Sequence, residues 1–340
     1  MVDLTLEDIA KQAGVSRSTV SRVVNNHPNV SLEVRERVQE VIQVTGYQPN
    51  LAARTLASQR SGVIGLLLPH SVSIFFTDPY FPRLTQGIAQ ACNENDYTLS
   101  LFLAGRKEDE EKILPRVSRN GLLDGVIVQA GHQGDQIIGR VRESRIPIVI
   151  AGRPFQAEKL SYVDIDNISG AYNAVSHLVR LGYKRIATIT GLLRSTVGAD
   201  RQTGYLKAIS DRRLELDENL IVEGDFTEQG GYYAMRKLLV HEPDAVFAAA
   251  DIMAIGAMRA VREAGLTIPG DIAFVGFDDI PPATQHDPQL TTVRQPIIQF
   301  GFNAVEILID LIENGIEPAR RIIMETELII RDTCGASRRQ

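Results

Sequence analysis

The 340-residue chain holds only two cysteines, Cys92 and Cys334. Two thiols that far apart give neither a disulfide framework nor metal-ligand spacing, as expected of a reducing compartment. Long apolar runs are missing too. The longest, Val63 to Leu68 with Gly65 inside it, is far shorter than the roughly 18–20 residues that span a bilayer. The amino terminus shows no basic-then-apolar leader, so a cytoplasmic, soluble protein without a membrane role is expected. Catalytic signatures are absent as well: no G-x-x-x-x-G-K-[ST], G-x-G-x-x-G, G-x-S-x-G or H-E-x-x-H occurs. The six histidines, His27, His70, His132, His177, His241 and His286, are scattered without ligand spacing. Nothing assembles a nucleophile, a base and an orienting group. The expectation is a binding protein, not an enzyme, with no cofactor and no metal.

Positive charge is scarce overall, the formal net charge being −6. Its distribution is uneven. Between Ile9 and Arg60 lie seven basic residues (Lys11, Arg17, Arg22, Arg35, Arg37, Arg54, Arg60) against three acidic ones (Glu33, Glu36, Glu40). A basic amino-terminal segment on an acidic remainder points to nucleic acid at that end.

What stands in that segment is TLEDIAKQAGVSRSTVSRVVN, Thr5 to Asn25. Thr5 with Asp8 three places on has capping-box spacing. Ile9, Ala10 and Ala13 share one helical face, and Gly14 suits the left-handed residue that ends a helix. Ser16 can cap a second helix, with Val20, Val23 and Val24 on one side and Arg17, Ser18, Ser21 and Arg22 near the other. Two short helices about a Gly turn make a helix-turn-helix, whose second helix lies in the major groove.

The stretch closely resembles the headpiece of the LacI/GalR family of bacterial transcription repressors. The pattern T-x-x-D-hydrophobic-A-x-x-A-G-V-S-x-x-T-V-S-R-V-x-N is met from Thr5 through Asn25. Arg17, Ser18 and Arg22 are the candidates for reading base edges, and Thr5, Ser16, Ser21 and Asn25 for phosphates. A third helix opens at Ser31, carries Val34, Val38, Val41 and Ile42, and closes at Gly46. Pro49 then breaks the pattern. Asn50 can cap the eight residues Leu51–Ser58, too few for an isolated helix, which needs about 12–15. A flexible linker is one reading. The other is a segment that folds on DNA with a second subunit. Tyr47, Pro49, Asn50, Ala53, Arg54 and Leu56 match the family's hinge helix, and the resemblance implies that Leu56 wedges into a minor-groove base step.

From Gly62 short apolar runs alternate with helical segments. Candidate strands are Val63–Leu68, Tyr97–Leu103, Gly125–Gln129, Ile146–Ala151, Arg185–Thr190, Ala245–Ala250 and Ile272–Gly276. Candidate helices include Pro82–Asn95, Ser169–Leu181, Asp251–Ala264 and Pro296–Glu313. The alternation implies an α/β body of parallel sheets flanked by helices, with ligands beyond the strands' carboxyl ends. Stretches such as DPYFPRLTQGI, RQTGY and DIMAIGAMRAVREAGLTIPGDIAFVGFDD resemble the family's effector-binding core, which shares its fold with periplasmic sugar-binding proteins. The fold class expected is thus an all-α helix-turn-helix headpiece (1–48), a hinge and linker (49–61) and a two-lobed periplasmic-binding-protein-like core (62–340). In that architecture the chain crosses between lobes three times, here near Ser161–Asp164, Leu290–Val293 and Ile323–Glu325. Lobe 1 is then about 62–161 plus 293–323, and lobe 2 about 162–290 plus 324–340.

A sugar needs charged or amide forks for its hydroxyls and aromatic faces for its C–H side. Tyr80 and Phe81, in a loop after the first strand with Asp78 beside them, match the family's aromatic pair, a packed loop being the alternative. Arg201 opens a helix in the Arg-x-x-Gly-Tyr motif. Asp278, followed by Asp279, takes the family's ligand position. Asp251 either binds ligand or caps its helix. Phe226 matches an aromatic that covers the ligand, and Arg153 and Arg194 are further candidates. Ala250 stands where relatives often carry Asn, which removes a polar contact. The resemblance implies a homodimeric repressor on a pseudo-palindromic double-stranded DNA operator, controlled by a small effector of carbohydrate type. A regulator set by a protein partner, a solute-binding component and a sugar-converting enzyme are the rivals. Residues 332–340 carry no heptads, which argues against a coiled-coil tetramer. Leu56→Ala is expected to bind operator more weakly and bend it less; gel mobility on permuted fragments measures both, and unchanged bending with unchanged affinity would refute the wedge.

Overall fold

The structure, a computed structural model, describes residues 4–24, 27–47, 60–119, 121–134 and 136–336. It falls into two compact units, Met1–Ser61 and Gly62–Gln340.

In the first unit α1 (Leu6–Ala13) starts at the expected capping box. The Thr5 N–H donates to Asp8 Oδ2 at 2.9 Å, and the Asp8 N–H donates back to Thr5 Oγ1 at 3.4 Å. Gly14 ends α1 at φ +66°, where a side chain would be strained. Helices α2 (Arg17–Val24) and α3 (Leu32–Thr45) follow. Ile9, Ala10, Ala13, Val20, Val23, Val38 and Tyr47 are buried together between the three helices. The expected hinge residues 49–59 lie outside the described residues.

The second unit contains two six-stranded sheets. In chain order the elements are β1 (Val63–Leu68), α4 (Val72–Thr77), α5 (Tyr80–Glu94), β2 (Thr98–Leu103), α6 (Lys107–Val117), β3 (Gly125–Gln129), α7 (Ile137–Glu143), β4 (Ile148–Ala151) and β5 (Ser161–Ile165). They continue with α8 (Asn167–Arg180), β6 (Ile186–Thr190), α9 (Thr196–Asp211), β7 (Ile221–Glu223), α10 (Glu228–Leu238), β8 (Ala245–Ala248) and α11 (Asp251–Glu263). Last come β9 (Ala273–Asp278), α12 (Pro282–Gln285), β10 (Thr291–Arg294), α13 (Ile297–Asn314), β11 (Arg321–Met324) and β12 (Glu327–Ile329). The first sheet runs β11-β5-β4-β3-β1-β2 and the second β12-β10-β9-β8-β6-β7. Pairing is parallel except for β12, which lies antiparallel to β10.

Each sheet is covered on both faces, which is why β1 reads as one apolar run. Its alternate residues part ways: Ile64, Leu66 and Leu68 join the core under α5 and α13, while Leu67 joins the core under α6 and α7. In lobe 2, α10 and α11 cover one face and α8 and α9 the other.

Five strands escape a search for apolar runs: β5, β7, β10, β11 and β12. Strands β5 and β10 bury polar side chains, namely Ser161, Asp164, Thr291 and Thr292. The other three lie at or near sheet edges and are half-exposed. The lobe crossings also move along the chain. Ser161–Asp164 is a strand of lobe 1, so the first crossing follows Ile165. The second follows Arg294, not Leu290–Val293, and the third falls between Met324 and Glu327. No described helix is long and apolar enough to cross a membrane.

Helices α5 and α13 meet through Gly87 and Gly301. A Cβ on Gly87 would stand 2.0 Å from the Ile298 carbonyl oxygen, and one on Gly301 2.5 Å from that of Leu84. Backbone cannot yield cheaply there. Gly87→Ala is expected to cost about 1–3 kcal/mol of stability, read as a lowered denaturant midpoint; an unchanged midpoint would show that the helices part freely.

Candidate nucleic-acid interface and interlobe cleft

On the first unit, the exposed face of α2 presents Arg17, Ser18 and Arg22, with Ser16 exposed just before it and Ser21 half-buried. Small hydroxyl residues between the two arginines let the helix backbone come close to base edges. Arg17 forms a surface pair with Glu7 at 3.5 Å, both side chains mostly in water; such pairs are weak and readily exchanged. Ser16 Oγ is shared with Ser18 Oγ and Thr19 Oγ1, each at 2.8 Å. Thr5 is less available than expected: its backbone N–H and its hydroxyl both donate to Asp8. Asn25, Asn50, Ala53, Arg54 and Leu56 lie outside the described residues.

On the second unit, a cavity of about 400 Å³ runs between the lobes at the carboxyl ends of both sheets. Its floor is organised by Arg201, the sixth residue of α9 and only 4% exposed. Arg201 Nε donates to Asn167 Oδ1 at 2.9 Å. Its Nη1 donates to the Ala249 carbonyl and, at 3.2 Å, to Asp278 Oδ1. The guanidinium lies 3.6 Å over the Phe277 ring. Nη2 has no partner among the described residues. Asp278 also accepts from Gln295 Nε2. It ends β9 at φ +117°, and Asp279 follows at φ +54°. That turn sends Asp279 the other way, to Arg294 Nε at 2.7 Å and Arg331 Nη2 at 2.6 Å.

Tyr80 and Phe81 both line the cavity, from the first turn of α5 and not from a loop. Phe81 is buried with its ring 4.7 Å from that of His70. Asp78 lines the cavity and accepts the Tyr80 N–H at 2.9 Å. Phe226 lies opposite on lobe 2 at φ +61°. Its ring occupies the space over Gly191, where a Cβ would come within 2.0 Å of it.

Two expected residues are not in the cavity wall. Asp251 is fully buried beneath it, accepting from Thr292 Oγ1 and from the Ile280 N–H at 3.1 Å. It neither faces the cleft nor caps α11; it ties that helix to β10 and to the turn after β9. Arg153 is drawn aside by two carboxylates, Asp200 and Asp164. Conversely, Asn167, Gln295, Asp164, His70 and Gln129 line the cavity without having been singled out. Asn167 and Gln295 stand at the first and second lobe crossings, and correct placement of those crossings would have pointed to them.

A DNA-reading helical unit joined to a two-lobed body with a polar cleft defines a ligand-responsive transcriptional regulator. Comparison with known proteins agrees. Residues 5–50 match the family described as bacterial regulatory proteins, lacI family, and residues 175–334 a periplasmic binding protein-like domain. The chain is 38% identical over 333 residues to the HTH-type transcriptional regulator CelR of Thermobifida fusca, covering 97% of this chain and 98% of that one. A solved transcriptional regulator CelR–cellobiose complex superposes with a TM-score of 0.78 at 35% identity, over 97% of this chain and 99% of the other. The lac repressor dimer bound to operator and the anti-inducer ONPF gives 0.82 at 27% identity, over the same shares. The chain belongs to the LacI family of bacterial transcriptional regulators.

Electrostatics at the cleft are set by burial. Asp278 is pushed up to about 7 by desolvation, which outweighs the opposing Arg201 charge. Asp164 is raised to about 6, again chiefly by burial, with Arg153 pulling it down. Burial and the Asp278 charge hold Asp251 well above the ordinary carboxylate range. Burial lowers His70. A carboxyl with a raised folded pKa holds a proton that the unfolded chain has already released. Its stabilising contribution is present at low pH and lost as pH rises through the folded value. For Asp164 that window lies between about 4 and 6. The Tm of Asp164→Asn minus that of the unaltered protein should therefore climb from pH 4 to 7. A flat difference would show that Asp164 is not desolvated.

Proposed function

We propose that this regulator is a homodimeric repressor, working in the cytoplasm, whose affinity for a pseudo-palindromic operator is set by a carbohydrate in the interlobe cleft. The observation that carries the reading is the buried fork of Arg201, Asp278, Asn167 and Gln295, in a cavity also lined by the aromatic rings of Tyr80 and Phe226. Such a site offers paired donors and acceptors to vicinal hydroxyls and apolar faces to the ring carbons. The CelR relative solved with cellobiose supports the same class of ligand. Arg17, Ser18 and Arg22 read base edges, while Ser16, Ser21 and Asn25 hold phosphates and Thr5 stiffens the start of α1. Asn50, Ala53, Arg54 and Leu56 form the hinge that engages the operator centre. Two-fold pairing supplies two half-sites, and exposed Val72, Phe76 and Leu101 in lobe 1 give apolar surface suited to self-association. The sugar's influence on DNA binding equals its difference in affinity between the two lobe arrangements.

The test joins both ends. Titration of the full chain with cellobiose and other small sugars, followed by anisotropy on a selected palindromic duplex, should show binding and a shifted operator affinity. Arg201→Lys should weaken the sugar about 10–100-fold, since hydrogen bonds to charged groups contribute about 1.5–3 kcal/mol, and leave sugar-free operator binding intact. Sugar binding indifferent to Arg201, or no effect of any sugar on DNA, would refute it.

A further inference from the structure

Away from the three chain crossings, the lobes are also joined across the cleft by side chains and backbone. Arg153 follows β4 of lobe 1. Its Nη2 donates to both carboxylate oxygens of Asp200 on α9 of lobe 2, at 2.5 and 2.7 Å. Its carbonyl accepts the Thr196 hydroxyl, also on α9, at 2.6 Å. Its Nε stands 3.8 Å from Asp164 Oδ2 in its own lobe. Beside it, the segment after β3 meets the segment after β6. The Gln133 N–H donates to the Arg194 carbonyl at 2.7 Å, and His132 pairs with Ser195 as an isolated antiparallel bridge.

We infer that Arg153 is a positioning residue: with Asp200 and Thr196 it forms a latch that holds the two lobes together across the cleft and sets the effector's affinity without touching it. Three features carry this. Neither Arg153 nor Asp200 lines the cavity, yet each adjoins a group that does. Asp164 is Arg153's second partner, and Arg201 follows Asp200 in the same helix turn. The Arg153 and Asp200 side chains are only 35% and 16% exposed, so the pair is shielded from the solvent that makes surface bridges weak. The backbone contact at Gln133 can form only while the lobes are this close, and so reports closure directly. A latched cleft holds Arg201 and Asp164 across one cavity. The fraction of competent molecules then scales the apparent affinity. Breaking the latch opens the cleft and weakens binding even though every contacting side chain survives.

The effect on effector affinity rests on the carbohydrate reading above; the latch itself does not. Hydrogen exchange on the ligand-free full chain tests it first. Arg153→Gln and Asp200→Asn should each speed exchange at the Gln133 amide about tenfold, a shift that corresponds to about 1.4 kcal/mol. The double variant should be no faster than either single one, because the two changes break one interaction. Arg153→Lys, which keeps the charge and the fold, should restore most of the protection. Cellobiose titration of the same proteins should show a parallel loss of about tenfold, recovered in Arg153→Lys. Gln133 exchange equal in the unaltered protein and all four variants, or effects that multiply in the double variant, would overturn the latch. Exchange that responds while no sugar binds the unaltered protein would keep the latch and reject the carbohydrate reading.

Discussion

A buried guanidinium is the constraint on which the ligand-binding body turns. Arg201 is 4% exposed, and a charge so far from water must be answered by acceptors or it costs several kcal/mol. The answers come from three separate elements: Asn167 at the start of α8, the Ala249 carbonyl after β8, and Asp278 at the end of β9. The flat face rests on Phe277. One side chain thus draws together the carboxyl edge of the second sheet and the first lobe crossing. The unusual backbone at Asp278 and Asp279 follows from it. A left-handed turn is tolerated by Asp better than by most residues, and here it splits two adjacent carboxylates between Arg201 on one side and Arg294 and Arg331 on the other. Asp251 braces the same turn from below.

That arrangement carries its electrostatic consequences with it. Asp278 and Asp251 stand close enough to interact, and burial raises both of them and Asp164. A buried carboxyl with a raised pKa is a responsive acceptor: a polar ligand that brings donors favours its ionised form. The charge state of the site therefore depends on what occupies it. The same groups give the lobes a reason to respond to occupancy, since Asp164 belongs to lobe 1 and Asp278 to lobe 2.

Legibility in the amino-acid sequence divides along physical lines. The helical headpiece was readable nearly residue by residue, because a capping box, a left-handed glycine and a 3.6-residue period are local devices. The strands buried on both faces were readable as apolar runs. Strands β5 and β10 were not, because their buried Ser161, Asp164, Thr291 and Thr292 are satisfied by partners far away in the chain, such as Thr333 for the Thr291 N–H. The crossings slid by a few residues for the same reason. Asp278, Arg201, Arg194, Tyr80, Phe81, Asp78 and Phe226 reach the cleft, whereas Asp251 and Arg153 do not line it. Both sit near a strand's carboxyl end, and position alone does not say which way a side chain turns.

By itself, then, the sequence determined the headpiece helices, the strands buried on both faces, the change of pattern at Gly62 and the kind of groups brought to the strand ends. These depend on neighbours within a turn or two of chain. Only the tertiary structure decided which carboxylate meets Arg201, which lies under the floor, and which is taken up by a bridge between lobes. Those choices depend on competition for a few buried charges among groups dozens of residues apart: Asp278 lies 77 positions from Arg201 and Asp200 lies 47 from Arg153. No local pattern encodes the outcome of that competition, because desolvation is felt only once the chain is packed.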